Sequence, residues 1–172
     1  MHLSISDRLA AGSFADVFVP RPGDKAYKVF RRIDDPIISH VAPYVFEAEV
    51  AAHRIAAATP ALVKYVPAFY GTEPVAAVVD ENGNDVSRGY WLELCYVTAR
   101  LADDPDERKF GSFFNAEEWH LMRPLEELFE AAGIDHLGDA SVLHWRSGNP
   151  VLIDFAVSDA AADHARLGPS AA

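Results

Sequence analysis

Two hydrophobic periods run through this chain, and where each one holds limits what it can fold into. Residues 4–19 alternate, with Ile5 and Leu9, then Phe14, Val17, Phe18 and Val19, around the small-residue turn Ala11-Gly12-Ser13. Alternation broken by a Gly turn predicts two strands of a hairpin. Pro20, Pro22 and Gly23-Asp24 predict a further turn, and residues 26–30 a third strand. Helical spacing holds over about 44–58, where Val45, Ala48, Ala52, Ile55 and Ala56 recur; Pro36 and Pro43 are expected to break the chain ahead of it, and Thr59-Pro60 to end it. Strands are expected near 62–70 and 74–79, then a hairpin turn at 81–84 leading into a strand at 89–97.

From residue 98 the pattern changes. Residues 102–108 are polar and read as a solvated loop; Asn115 is placed to cap a helix through Trp119 and Met122, and Pro124 to start a second helix that Gly133 closes. Short strands are expected at 141–145 and 150–155 around the turn 146–149, and an Ala-rich helix and disordered tail after residue 160. The expectation is an α+β protein of two lobes: residues 1–97, strand-rich with one helix, and residues 98–172, smaller and helical. A chain of 172 residues that is 50% hydrophobic has the material for such a core.

Charge and cysteine content narrow the function classes. A net charge of −11 repels phosphate backbones, and the densest basic run, Lys25, Lys28, Arg31 and Arg32, is no nucleic-acid patch. The single cysteine, Cys95, excludes an internal disulfide and a multi-cysteine metal site. No apolar stretch approaches the ~20 residues that span a bilayer, and Met1-His2-Leu3-Ser4 does not open a secretory signal. The expectation is a soluble chain, cytoplasmic where it is made, with delivery into a host cell still compatible with its sequence.

Four features carry chemistry. Small residues at 10, 11, 12 and 15 let the turn lie close over a ligand, with backbone N–H groups available to phosphate oxygens; a plain hairpin explains them as well. Lys28 lies in an apolar strand, where a lysine is uncommon unless paired. Glu47 and Glu49 lie on the helix that follows, either of them able to return a carboxylate to Lys28 or to face solvent. Asp154 ends the apolar run Val151-Leu152-Ile153, a position for a metal ligand or base as much as for a turn cap. The three tryptophans and most phenylalanines read as packing residues.

Together these features resemble the protein-kinase-like fold, over about residues 7–157. Leu9–Val17 is similar to the family's glycine-rich loop, with Gly12 kept and Ala10 and Ala15 in place of the outer glycines. Ala26-Tyr27-Lys28 resembles the strand that supplies the phosphate-binding lysine, Glu49 the helix glutamate that pairs with it, and 91–97 the strand and hinge that hold adenine, with Leu94 as gatekeeper. Asp154-Phe155-Ala156 is similar to the metal-binding Asp-Phe-Gly. Thirteen residues before Asp154, where the family keeps a second metal ligand, stands Ser141. The ungapped position of the catalytic aspartate is His136; a one-residue insertion makes it Asp135, and Asp139 lies in the same loop. Asp135 is favoured because a carboxylate orients a hydroxyl and tolerates a nearby cation.

The resemblance implies ATP and Mg2+ (or Mn2+) as cofactors, with nucleotide contacts from Gly12, Ser13, Phe14, Val17, Ala26, Lys28, Leu94, Cys95, Tyr96 and Val97. It implies Asp154 and Ser141 at the metal. Only 16 residues follow Ala156, which resembles the minimal kinases of bacterial effectors and phage. The expected activity is phosphorylation of a protein hydroxyl; the alternatives are a pseudokinase-type module that docks a protein partner, and, third, a small-molecule kinase.

Overall fold

The protein, described by a computed structural model, is a mixed α+β chain; the structure describes residues 2–22, 25–31, 36–99, 108–109, 116–138, 140–144 and 150–156. It divides into two compact units, Met1–Phe46 with Phe69–Leu101, and Glu47–Ala68 with Ala102–Ala172. Residues 47–68, expected with the rest of 1–97 in the first lobe, group with the second unit, because Ala52, Ala56 and Leu62 are fully buried in its core.

In the first unit, β1 (His2–Ser4) leads through a 3-10 turn at Ile5–Asp7 into β2 (Arg8–Ala11), β3 (Ala15–Phe18) and β4 (Lys25–Arg31). With β5 (Phe69–Thr72) and β7 (Tyr90–Ala99) these form a five-stranded antiparallel sheet in the order β2-β3-β4-β7-β5. Opposed residues share a face. Ala15 and Val17 of β3 stand opposite Phe30 and Lys28, so one face carries Ala15, Val17, Ala26, Lys28 and Phe30. Phe30 meets Phe46 edge-on at 5.2 Å between ring centroids. The other face carries Asp16, Phe18, Tyr27 and Val29; Phe18 and Val29 pack with Leu3, Val75 and Val78 into a core. β6 (Ala77–Val79) pairs in parallel with β1.

The expected hairpin turn forms: Val79 bridges Asp85 antiparallel and Val86 N–H bonds Val78 O at 2.8 Å. The carboxylate of Asp80 closes it by accepting the N–H groups of Asn82 and Asn84, each at 2.8 Å. The strand that follows, β7, pairs with β4 and β5 and not with β6, and the buried Ser87 hydroxyl accepts the N–H of Val78 at 2.9 Å. Residues 62–68 are not a strand. Leu62 is buried beside Val63, which is half exposed, and successive i→i+3 bonds (Leu62 N–H to Thr59, Tyr65 N–H to Leu62, both 2.8 Å) satisfy the backbone locally.

Helix α1 runs Pro36–Ala58, longer than the sequence predicts, with Pro43 inside it. Pro36 suits the first helical position, where no N–H bond is needed. Pro43 loses one bond at a cost of up to about 3 kcal/mol, and burial of Ala42, Phe46 and Val50 offsets it. The two helices expected around residue 124 are also one, α2 (Ala116–Ala131), with Pro124 inside. It ends in a Schellman motif: Ile134 N–H bonds Phe129 O and Gly133 N–H bonds Glu130 O, both at 2.9 Å, with Gly133 at φ +82°. The apolar contact that accompanies this motif is there, since Phe129 and Ile134 are both fully buried in one cluster with Met122, Leu125, Val142 and Leu152.

In the second unit, β8 (Arg108–Lys109), β9 (Ser141–Leu143) and β10 (Val151–Ile153) form an antiparallel sheet in the order β10-β9-β8. Of the expected loop at 102–108, Arg108 belongs to β8, because it pairs with Val142; the rest of it, the cap at Asn115, the turn at 146–149 and the tail after 160 lie outside the described residues.

Candidate functional site

Each unit holds part of the predicted constellation. In the first, the turn Gly12-Ser13-Phe14 joins β2 to β3, with Gly12 and Ser13 exposed. Gly12 N–H bonds Ala15 O at 2.8 Å, and a Cβ at Gly12 would stand 3.1 Å from that same oxygen, so the turn is too tight for a side chain there without a shift. Lys28 is half-buried on β4, opposite Val17 on one side and Tyr96 of β7 on the other, with its Nζ 5.9 Å from the Phe30 ring centroid. Ala26 stands opposite Thr98 on the same ladder, and Leu94, Cys95, Tyr96 and Val97 all fall within β7.

Sequence reasoning missed the cluster beneath this turn. Asp16 is fully buried, and Arg8 Nη1 lies 3.2 Å from its Oδ2 and Arg31 Nε 3.5 Å from its Oδ1. Arg31 also donates through Nη2 to the carbonyl oxygens of Gly12 and of Ser13, the latter at 3.0 Å, while its backbone N–H bonds Phe14 O at 2.8 Å. The signal was available in the alternation. Asp16 has the parity of Phe18, and a carboxylate on the buried parity needs a cation.

In the second unit, Glu49 is buried and Glu47 exposed. One helical turn after Glu49, the buried His53 ring lies 4.5 Å from the ring of Phe155, and Phe155 meets Phe129 edge-on at 5.3 Å. Helix α1 thus packs on the residue next to Asp154. Asp154 itself has φ +59°, a left-handed conformation that aspartate tolerates better than most residues. Ser141 pairs with Ile153, which sets it beside the strand end that Asp154 terminates. The Ser141 hydroxyl is buried and makes no hydrogen bond among the described residues.

The loop before β9 is anchored by Ile134, Leu137 and Ala140, all buried, which leaves Asp135 exposed and His136 half-buried. His136 O accepts the N–H of Ala156 at 3.1 Å, tying this loop to the segment that carries Asp154. Asp139 lies outside the described residues.

Ser141 and Asp154 both carry oxygen donors, the kind Mg2+ takes while completing its shell with water and phosphate, and the backbone register brings them to the same strand end. Among the described residues there is no group of three His, Cys, Asp or Glu able to hold a metal. Among the described residues no helix is long and apolar enough to cross a membrane. No protein-family model matches the chain, and no curated protein matches it.

Proposed function

We propose that this chain is an ATP- and Mg2+-dependent phosphotransferase of minimal protein-kinase-like architecture, acting on a protein hydroxyl. The observation that carries the reading is the packing of His53 against Phe155. Two motifs 105 residues apart, the helix with buried Glu49 and the strand end with Asp154, belong to one packed body, as a kinase requires of its helix glutamate and metal aspartate. Further support comes from the first unit, where Lys28 lies on the third strand of a sheet whose first two strands are joined by the Gly12 turn.

In this reading the Gly12–Phe14 turn covers the phosphates, Lys28 binds them, and β7 through Leu94–Val97 receives adenine. Asp154 and Ser141 hold Mg2+, which when bound neutralises phosphate charge. The loop of Asp135 and His136, tied to the Asp154 segment by the backbone bond from Ala156 to His136 O, supplies the group that meets the acceptor hydroxyl, either the Asp135 carboxylate that orients it or the His136 imidazole that accepts its proton. Such a site works by positioning and charge neutralisation.

The test is transfer of γ-labelled phosphate from ATP with Mg2+ or Mn2+, to the chain itself and to a protein lysate, beside Asp154→Ala. Label incorporated by wild type alone supports the enzyme. Nucleotide binding without transfer supports the second reading, a non-catalytic module, which the histidine at the aspartate position favours. No binding and no transfer removes both.

A further inference from the structure

We propose that Arg31, aligned by the buried carboxylate of Asp16, is the positioning residue that orients the Gly12–Phe14 turn for phosphate; the phosphate half of this proposal rests on the nucleotide reading above. Every carbonyl of the turn accepts from this one residue: those of Gly12 and Ser13 from the guanidinium, that of Phe14 from the backbone N–H. A trans peptide is planar, with its N–H directed opposite to its C=O. Fixing the Gly12 and Ser13 carbonyls toward the guanidinium therefore turns the N–H groups of Ser13 and Phe14 away from it. Among the described residues neither N–H has a hydrogen-bond partner. Asp16 and Arg31 act from one side of the sheet, and the opposite face carries Lys28. Two free amides directed away from the guanidinium make a small anion cradle.

The ion pairs support the same role: Arg8 and Arg31 both flank the buried carboxylate of Asp16 beside the turn. Asp16 is wholly buried while Arg31 is partly exposed, so the carboxylate is the fixed partner and the guanidinium the part it aligns. Lysine is no substitute, because one ammonium cannot reach a carboxylate and two carbonyls in a planar fork.

The experiment uses the full chain as wild type, Arg31→Met, and the double variant Asp16→Asn/Arg31→Met, which leaves no buried carboxylate short of a partner. Affinities for an ATP analogue with Mg2+ and for adenosine are measured by calorimetry. Amide hydrogen exchange is followed at Gly12, with Ile134 as a reference for global stability. The expected result in the double variant is ATP affinity reduced by about tenfold or more, adenosine affinity within about twofold, and Gly12 protection lost while Ile134 keeps its own. Unchanged ATP affinity, or equal loss for ATP and adenosine, overturns the proposal. If wild type binds no nucleotide, the function proposed above fails on its own account. Gly12 exchange then decides the clamp: faster exchange keeps it, and unchanged exchange removes it.

Discussion

Two glycines show different reasons for lacking a side chain, and each yields a measurable cost. At Gly12 the obstacle is contact, a backbone oxygen 3.1 Å from the position of a Cβ. At Gly133 there is nothing within 4 Å, and the obstacle is φ +82°. Gly133→Ala is expected to cost about 1–2 kcal/mol of unfolding free energy, read as a lower urea midpoint at constant slope. An unchanged midpoint would remove the Schellman cap from the account. Asp80 carries a pH prediction. Hydrogen bonds from the Asn84 side chain, then from backbone and side-chain groups of Asn84 and Asn82, hold its carboxyl below the ordinary 3.8. A lowered folded value means that the turn's contribution is complete above the ordinary value and is lost as pH falls through the lowered one. The Asn82 and Asn84 amide shifts should therefore titrate with a midpoint below 3.8; a midpoint at or above that value contradicts the assignment.

Helix α1 separates its two glutamates by about 200° of rotation, and the structure buries Glu49 and exposes Glu47. Glu49→Gln is expected to reduce phosphotransfer by about tenfold or more, and Glu47→Gln by less than about twofold; equal effects would mean that the buried face is not the functional one. The helix also shows what was legible in sequence and what was not. Its period from Val45 to Ala56 was readable because the burial that selects it is local to one face. Its first two turns were not, because Pro36 and Pro43 read as breakers and only tertiary burial of Ala42 and Phe46 outweighs the lost bond. The same holds for α2 across Pro124. At residues 62–68 consecutive apolar residues carry no period, so a strand and a 3-10 turn could not be told apart. Lys28 on an apolar strand and Asp154 at a strand end stood out because charge there conflicts with the local pattern. The Arg31 clamp did not, since its acceptors are backbone carbonyls 18 and 19 residues away that no side-chain pattern encodes.

For the whole molecule, one chain supplies two packed bodies, with the Gly12–Phe14 turn and Lys28 in the first and Glu49, Ser141, His136 and Asp154 in the second. A net charge of −11 works against a polyphosphate ligand at long range, so the proposed nucleotide binding relies on fixed local groups: two amides, one lysine and a carboxylate-held cation. The account therefore predicts that affinity depends steeply on single side chains and on Mg2+. The most direct measurement is calorimetric titration of the full chain with a non-hydrolysable ATP analogue, with and without Mg2+, for wild type, Lys28→Ala and Asp154→Ala. The predicted result is saturable binding by wild type, about tenfold to hundredfold weaker binding by Lys28→Ala, and loss of the Mg2+ dependence in Asp154→Ala. Binding that is absent in wild type, or identical in all three folded proteins, would contradict the nucleotide site.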